Sequence, residues 1–292
     1  MKALYSGVSG MRSHQTKMDV IGNNIANVNT NGYKTQRTTF RDIYYQQVKS
    51  PSRPDDTNDR GGTNASQVGY GTQVGSIDTI HTISGYSPTN KATDIYINGE
   101  GYFVVENSSG DRLFTRLGAL NFDSSGYLVD VNGANVLGWN GAGDQSDVTT
   151  TGDPEAVKIP AQADVTYTNI TINNDGSITA TYNSTSDTDP LNDKIVNLGV
   201  ITVANIENQD ALILEGNSYY RESNNTGDIK YVVPGTKGSG TGALVTGGLE
   251  MSNVDLANEF SDMIVTQRGF QANTKIISVV DQMLEELVNL KR

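Results

Sequence analysis

SNVDLANEFSDMIVTQRGFQANTKIISVVDQMLEELVNLKR, residues 252–292, closes the chain and decides how the rest is read. Leu256, Met263, Phe270, Ile277 and Leu284 recur every seven residues, which is one seam of a long helix. Phe260, Ile264, Val280 and Leu287 widen that seam into a stripe. Ser252, with Asp255 three residues on, reads as a capping box at the helix start. Uninterrupted to Leu290, such a helix runs about 50 Å at 1.5 Å per residue. A lone helix in water has nothing to bury the stripe against, so the pattern demands a partner surface.

The opposite end of the chain supplies one. Leu4, Met11, Met18 and Ile25 repeat with the same seven-residue period, with Val8 and Ile21 beside them, and predict a helix over roughly 3–28. Gly7, Gly10 and Gly22 weaken it by up to ~1 kcal/mol each relative to Ala, but they permit close approach of a neighbouring backbone. A strict period of seven on a helix of 3.6 residues per turn implies left-handed supercoiling against a partner. Either helix alone reads most simply as the core helix of an ordinary domain. Two matched seams flanking a β-rich middle point instead to a paired element.

Composition narrows the function. With 292 residues there is room for two or three domains, yet only 36% are hydrophobic and 31 are Gly, which suits many turns and short, half-exposed strands. The formal net charge of −12 argues against nucleic acid or an anionic membrane as main partner. No run of eighteen apolar residues exists, so no membrane insertion is expected. Met1 to Gly7 lacks the apolar core of a cleavable signal peptide, which by itself suggests a cytosolic protein. The absence of Cys removes disulfides, thiolate metal sites and Cys nucleophiles. Only His14 and His81 offer imidazole chemistry, and no paired carboxylates stand out, so no catalytic residue, metal site or cofactor is predicted.

From Asp94 to Trp139, short apolar runs such as Ile95-Tyr96-Ile97 and Tyr102-Phe103-Val104-Val105 alternate with turn signals. Asn98-Gly99, Ser109-Gly110, Ser125-Gly126 and Asn132-Gly133 punctuate them, as hairpin-built antiparallel sheet requires. His81 falls on an alternating Ile77, Thr79, His81, Ile83 pattern and reads as a strand residue. Residues 141–197 read as an insertion with strand candidates at Ala156–Ile159, Val165–Ile172 and Ile178–Tyr182, and a turn at Asn174-Asp175-Gly176. Asp187, Asp189 and Asp193 miss a calcium-loop spacing and read as solvated loop. Gly238 to Gly242 lacks the Lys-Ser/Thr of a phosphate loop and reads as linker.

The first helix runs into Asn23-Asn24-Ile25-Ala26-Asn27-Val28-Asn29-Thr30-Asn31-Gly32-Tyr33-Lys34, an Asn-rich helix end with an Asn-Gly turn signal. This run resembles the N-terminal signature of the flagellar rod and hook axial proteins, with Asn24, Ala26, Asn27, Thr30, Gly32, Tyr33 and Lys34 as its signature positions. Asp94 to Val105 and Phe114 to Asp123 resemble the inner β-domain of that family. Gly248, Leu249, Glu250, Ser252, Asn253 and Val254 resemble its C-terminal signature. Within the family, Val254 to Glu259 and Gly269 to Asn273 resemble hook subunits more than distal rod subunits, which stand as the alternative. A secreted adhesive or glycan-binding β-protein would suit the middle alone, but it leaves the two matched seams unexplained.

The resemblance implies an α+β multidomain chain, its terminal helices paired as a coiled-coil-like stalk with largely antiparallel inner and outer β-domains inserted between them. It divides the chain into a helical assembly domain (1–30 and 254–292), a connecting region (31–75 and 235–253), an inner β-domain (76–140 and 198–234) and an outer insertion (141–197). It implies no enzyme. The implied product is a helical homopolymer, a hollow tube with both helix seams at the assembly contacts. The implied partners are copies of the chain itself, other axial proteins (distal rod, hook cap and hook–filament junction) and the flagellar type III export apparatus. The implied location is the extracellular part of the flagellum, reached without a cleaved signal peptide.

Overall fold

The computed structural model describes residues 2–54, 61–144, 148–150, 152–160, 165–184 and 191–290, with backbone alone at 142–144. Two helices, α1 (Lys2–Ala26) and α2 (Leu256–Asn289), bracket a body of largely antiparallel strands, an α+β chain. The described residues fall into two compact units: those within 1–28, 35–80 and 254–292, and those within 29–34 and 81–253. Where the sequence reading draws four parts, contacts thus group 35–75 with the helices. The strands of 141–197 share one sheet with those of the inner β region.

In the first unit, α1 and α2 run antiparallel, side by side. Ile277 lies against Gly7, Asn273 against Gly10 and His14 against Gly269, so residue numbers rise on one helix as they fall on the other. Lys17 Nζ reaches Asp262 at 2.9 Å across the same contact. Strand Gln36–Asp42 pairs with Thr72–Thr79, bulging between Thr39 and Phe40, and Ser13 Oγ on α1 donates to Thr72 O at 3.2 Å. Beyond that pair, Tyr45–Lys49 and Ser66–Gly69 form a two-stranded ribbon whose residues are all exposed.

Helix α2 begins one residue after Asp255, whose carboxylate accepts from the Ala257 and Asn258 amides at 2.9 and 3.4 Å. Ser252 therefore does not cap the helix, contrary to the capping-box reading. Asp255 serves both needs of that end, an acceptor for two free N–H groups and a negative charge on the positive helix terminus. His81 likewise departs from its expected place, because the strand ends at Thr79. Helix α1 stops where Asn27 donates from its backbone and from Nδ2 to Asn23 O, at 3.1 and 2.9 Å.

The second unit is built on a thirteen-stranded sheet. Its main path runs Val165–Ile172, Ser177–Ser184, Lys194–Ile201, Asn135–Asp144, Tyr102–Glu106, Arg112–Thr115, Tyr219–Arg221 and Ile213–Gly216. The predicted turns hold: Gly126 and Gly133 take φ of +83° and +82°. Asp123 and Asp130 accept from the amides that close each loop. Phe103, Val105, Leu120, Leu128, Val136, Ile178 and Ile201 are completely shielded in one core that extends through both the inner strands and the 165–201 hairpins. Each such side chain contributes about 1.5–3 kcal/mol, so this unit carries the hydrophobic stability. The expected solvated acidic loop lies partly outside the described residues, at Asp187 and Asp189.

Candidate functional site

The helix contact has the predicted period, with the predicted phase on α2 and a different one on α1. The shielded positions of α2 are Glu259, Met263, Thr266, Phe270, Asn273, Ile277 and Val280, alternating four and three apart, together with Gly269. Met263, Phe270 and Ile277 of the predicted seam are thus half-buried, while Leu256 and Leu284 at its ends stay 39% and 40% exposed. On α1, the residues recorded against α2 are Gly7, Gly10, His14, Lys17 and Asn24. Leu4, Met11, Met18 and Ile25 form a half-buried stripe roughly a quarter-turn to one side, at 100° per residue. Close approach explains the shift. A Cβ on Gly10 would stand 2.8 Å from Asn273 Nδ2, and one on Gly269 2.7 Å from the His14 ring. Gly22, by contrast, has nothing within 4 Å.

Polar side chains therefore hold this contact as much as apolar ones. Asn24, 1% exposed, exchanges two bonds with the Gln36 backbone at 2.9 and 3.0 Å and donates to Glu259 Oε1 at 3.0 Å. Thr35 Oγ1 adds a bond to the same carboxylate at 3.3 Å. One asparagine thus joins α1, a strand and α2. Ala26 is exposed and Thr30 half-buried.

In the second unit, the N-terminal and C-terminal signatures meet. Gly32 N donates to Glu250 O at 2.9 Å, and Asn253 N lies 3.5 Å from Tyr33 O. Gly32 holds φ +73° with Arg116 and Leu117 backbone atoms 3.2 Å from where a Cβ would sit, so both its conformation and its surroundings favour glycine. Gly248 and Leu249 pair with Pro88 and Ser87, and Leu249 is buried. Ser252 O accepts from Ser84 Oγ at 2.8 Å, and Asn253 Nδ2 donates to Thr82 Oγ1 at 3.0 Å. Val254, half-buried, begins the return to the helical unit.

At the centre of that meeting lies a buried ion cluster. Lys34 Nζ contacts Glu250 Oε1 at 2.5 Å and Thr82 O at 2.7 Å, and the two charged side chains are 0% and 1% exposed. Arg116 Nη1 approaches Glu250 Oε2 at 3.4 Å and donates to Gly99 O at 2.9 Å. Its guanidinium lies 5.0 Å over the Tyr102 ring, while its Nε and Nη2 find no hydrogen-bond partner among the described residues. The Tyr102 hydroxyl bonds His81 Nδ1 at 2.7 Å. Burial pushes Lys34 down despite Glu250, and pushes Tyr102 and Tyr220 up. Burial lowers His81 to about 4, against the pull of Asp210 and with help from Lys34 and Arg116, so the ring is neutral near pH 7.

Two cations and one carboxylate sealed from water offer no reacting group to a substrate. They offer a tie between the two signatures. Removing one member of a buried ion pair typically costs ~3–5 kcal/mol, because the other charge is left uncompensated. Sequence reasoning named Lys34 and Glu250 as signature positions, while Arg116, Tyr102 and Glu259 fell inside motif stretches and were given no role. The available signal was a lone charge inside an apolar run, as at Leu113-Phe114-Thr115-Arg116-Leu117.

Residues 4–34 match the family described as flagella basal body rod protein, and 96–180 match the D1 domain of flagellar hook protein FlgE/F/G. Residues 245–290 match the C-terminal part of flagellar basal body rod FlgEFG proteins. The chain is 43% identical to the flagellar basal-body rod protein FlgG of Bacillus subtilis, over all of both chains. It is 32% identical to FlgG of Agrobacterium fabrum over 97% of each chain. It is 31% identical to the flagellar hook protein FlgE of Borreliella burgdorferi, covering all of both in an alignment 446 residues long.

Proposed function

The chain belongs to the family of flagellar rod and hook axial proteins, and from that premise we propose that it polymerises into the distal rod, as a hollow helical tube. It is a structural subunit of the flagellar axis. The observation that carries the polymer reading is the surface of α2, where Ile276, Val279, Met283, Leu287 and Leu290 are 41–83% exposed and lie on successive turns of one face. A helix with only Thr266 fully buried has most of its apolar surface still to cover.

Length favours rod over hook. The alignment with the Bacillus rod protein needs 293 positions for this 292-residue chain, whereas that with the Borreliella hook protein needs 446. The 165–201 strands also continue the main sheet and share its core, which suits a compact subunit without a sliding outer domain. This reverses the preference drawn from Val254 to Glu259 and Gly269 to Asn273. The hook reading keeps the support of that motif and of 31% identity to a hook protein.

In this proposal the terminal helices pair as a coiled-coil-like element that lines the inner wall of the tube. The partners are further copies, neighbouring axial proteins and the flagellar type III export apparatus. No helix among the described residues is long and apolar enough to cross a membrane. Negative-stain microscopy of the polymer decides between the readings: straight tubes support the rod, curved tubes support the hook, and no tubes at any concentration reject both.

A further inference from the structure

The helical unit leaves two complementary surfaces open. One is a groove of about 570 Å³ along the first half of α1, lined on its apolar side by Tyr5, Ile43, Tyr44, Tyr70 and Val74. Arg12 is the one charged residue lining it among the described residues, and Lys2 Nζ lies 5.7 Å from the Tyr70 ring centre. The first turn of α1 holds no acid, so a positive helix end and two cations border an aromatic trough.

The other surface is the end of α2. Gly7 sits against Ile277, so in the antiparallel pair Lys2 falls near the level of Gln282. Helix α2 continues to Asn289 and projects past α1 by about 10 Å at 1.5 Å per residue. Met283, Leu287 and Leu290 on this stretch are 51%, 62% and 83% exposed. Glu286 flanks that row, and the last turn of the helix holds no base (Lys291 and Arg292 lie beyond the described residues). A carboxylate thus borders an apolar ridge.

We propose that the C-terminal turns of α2 from a second copy of this chain occupy the α1 groove, with Glu286 beside Arg12. The inference rests on the polymer reading and names its contact. The lengths are compatible: Tyr5 to Thr16 spans about 16 Å along α1, and Met283 to Leu290 about 10 Å along α2, short enough to lie within the groove. Groove and ridge are different patches, so every copy offers both and the contact is heterologous, the kind of interface a filament requires.

The test measures the critical concentration for sedimenting polymer. Arg12→Glu alone and Glu286→Arg alone each place like charges together, and each raises it about fivefold, the scale of one partly exposed ion pair. An equal mixture of the two variants restores assembly, because each groove then finds an oppositely charged ridge, and so does the double variant. Wild-type behaviour of either single variant overturns the contact. So does a defect that neither the mixture nor the double variant repairs, the result expected if another protein fills the groove or if the variants misfold. A wild-type chain that never sediments removes the polymer reading, and this contact with it.

Discussion

Lys34 and Glu250, 216 residues apart in sequence, meet at 2.5 Å with neither side chain reaching solvent. A pair so placed is held by the fold and in turn holds it, since each charge without the other is a buried ion. Glu250→Gln should cost the β unit ~3–5 kcal/mol, read as a lowered urea midpoint for loss of its strand signal. A cost below ~1 kcal/mol, the scale of an exposed pair, would show that the cluster does not secure the two signatures.

The neutral ring of His81 makes this unit acid-sensitive. Its pKa lies near 4 in the folded chain and near 6.5 unfolded, so the unfolded state binds more protons between those values. Stability therefore falls as pH drops from about 6.5 to about 4, by up to ~3 kcal/mol from this group. His81→Gln should flatten the dependence of the urea midpoint over that window. An unchanged slope contradicts the assignment.

Gly10 sets the distance between the helices. Gly10→Val forces a side chain into the Asn273 amide, which already stands 2.8 Å from the Cβ position. Overpacking of this kind costs ~1–3 kcal/mol, visible as lost helical circular dichroism on mild heating. Adding Asn273→Ala should recover part of the loss, and a rescue failure would place the steric conflict elsewhere.

The start of α2 separates two capping schemes. Asp255→Ala should destabilise the first turn by about 1 kcal/mol, with faster amide exchange at Ala257 and Asn258. Ser252→Ala should leave those amides unaffected. The reverse pattern would reinstate the capping box.

Helix α2 should be less protected in the dilute monomer than the central strands of the β unit. Thr266 is its sole fully buried residue among those described, whereas Tyr102–Glu106 has four buried in succession. Amides of 256–289 should exchange well before those of 102–106. Deletion of 254–292 should abolish tubes yet keep the β-sheet spectrum. Tubes formed by the truncated chain would remove the assembly role from α2.

Much of this was legible from local pattern. The seven-residue periods predicted both helices: Lys2–Ala26 lies within two residues of the expected bounds, and Leu256–Asn289 ends one residue before the expected Leu290 but starts three residues later than a Ser252 cap implies. The Gly-containing turns predicted the hairpins around Gly126, Gly133 and Gly176. The motif residues Lys34 and Glu250 were recognised, although their contact was not. Arg116 was given no role because a single charge just past a strand end resembles a solvent-facing position until the fold closes over it.

What the sequence by itself determined is spacing: which segments are helical or extended, where they turn and which family they resemble. Tertiary structure alone decided the phase of the helix contact and the partners of the buried charges. Spacing along one helix defines several parallel stripes. The stripe that meets a partner is chosen by how closely two backbones can approach, and here Gly7, Gly10 and Gly269 bring the helices together beside Leu4, Met11, Met18 and Ile25. The Lys34–Glu250–Arg116 cluster depends on the same kind of global fact. Burial raises the energy of any unpaired charge, and only the folded chain puts the three groups within reach of one another.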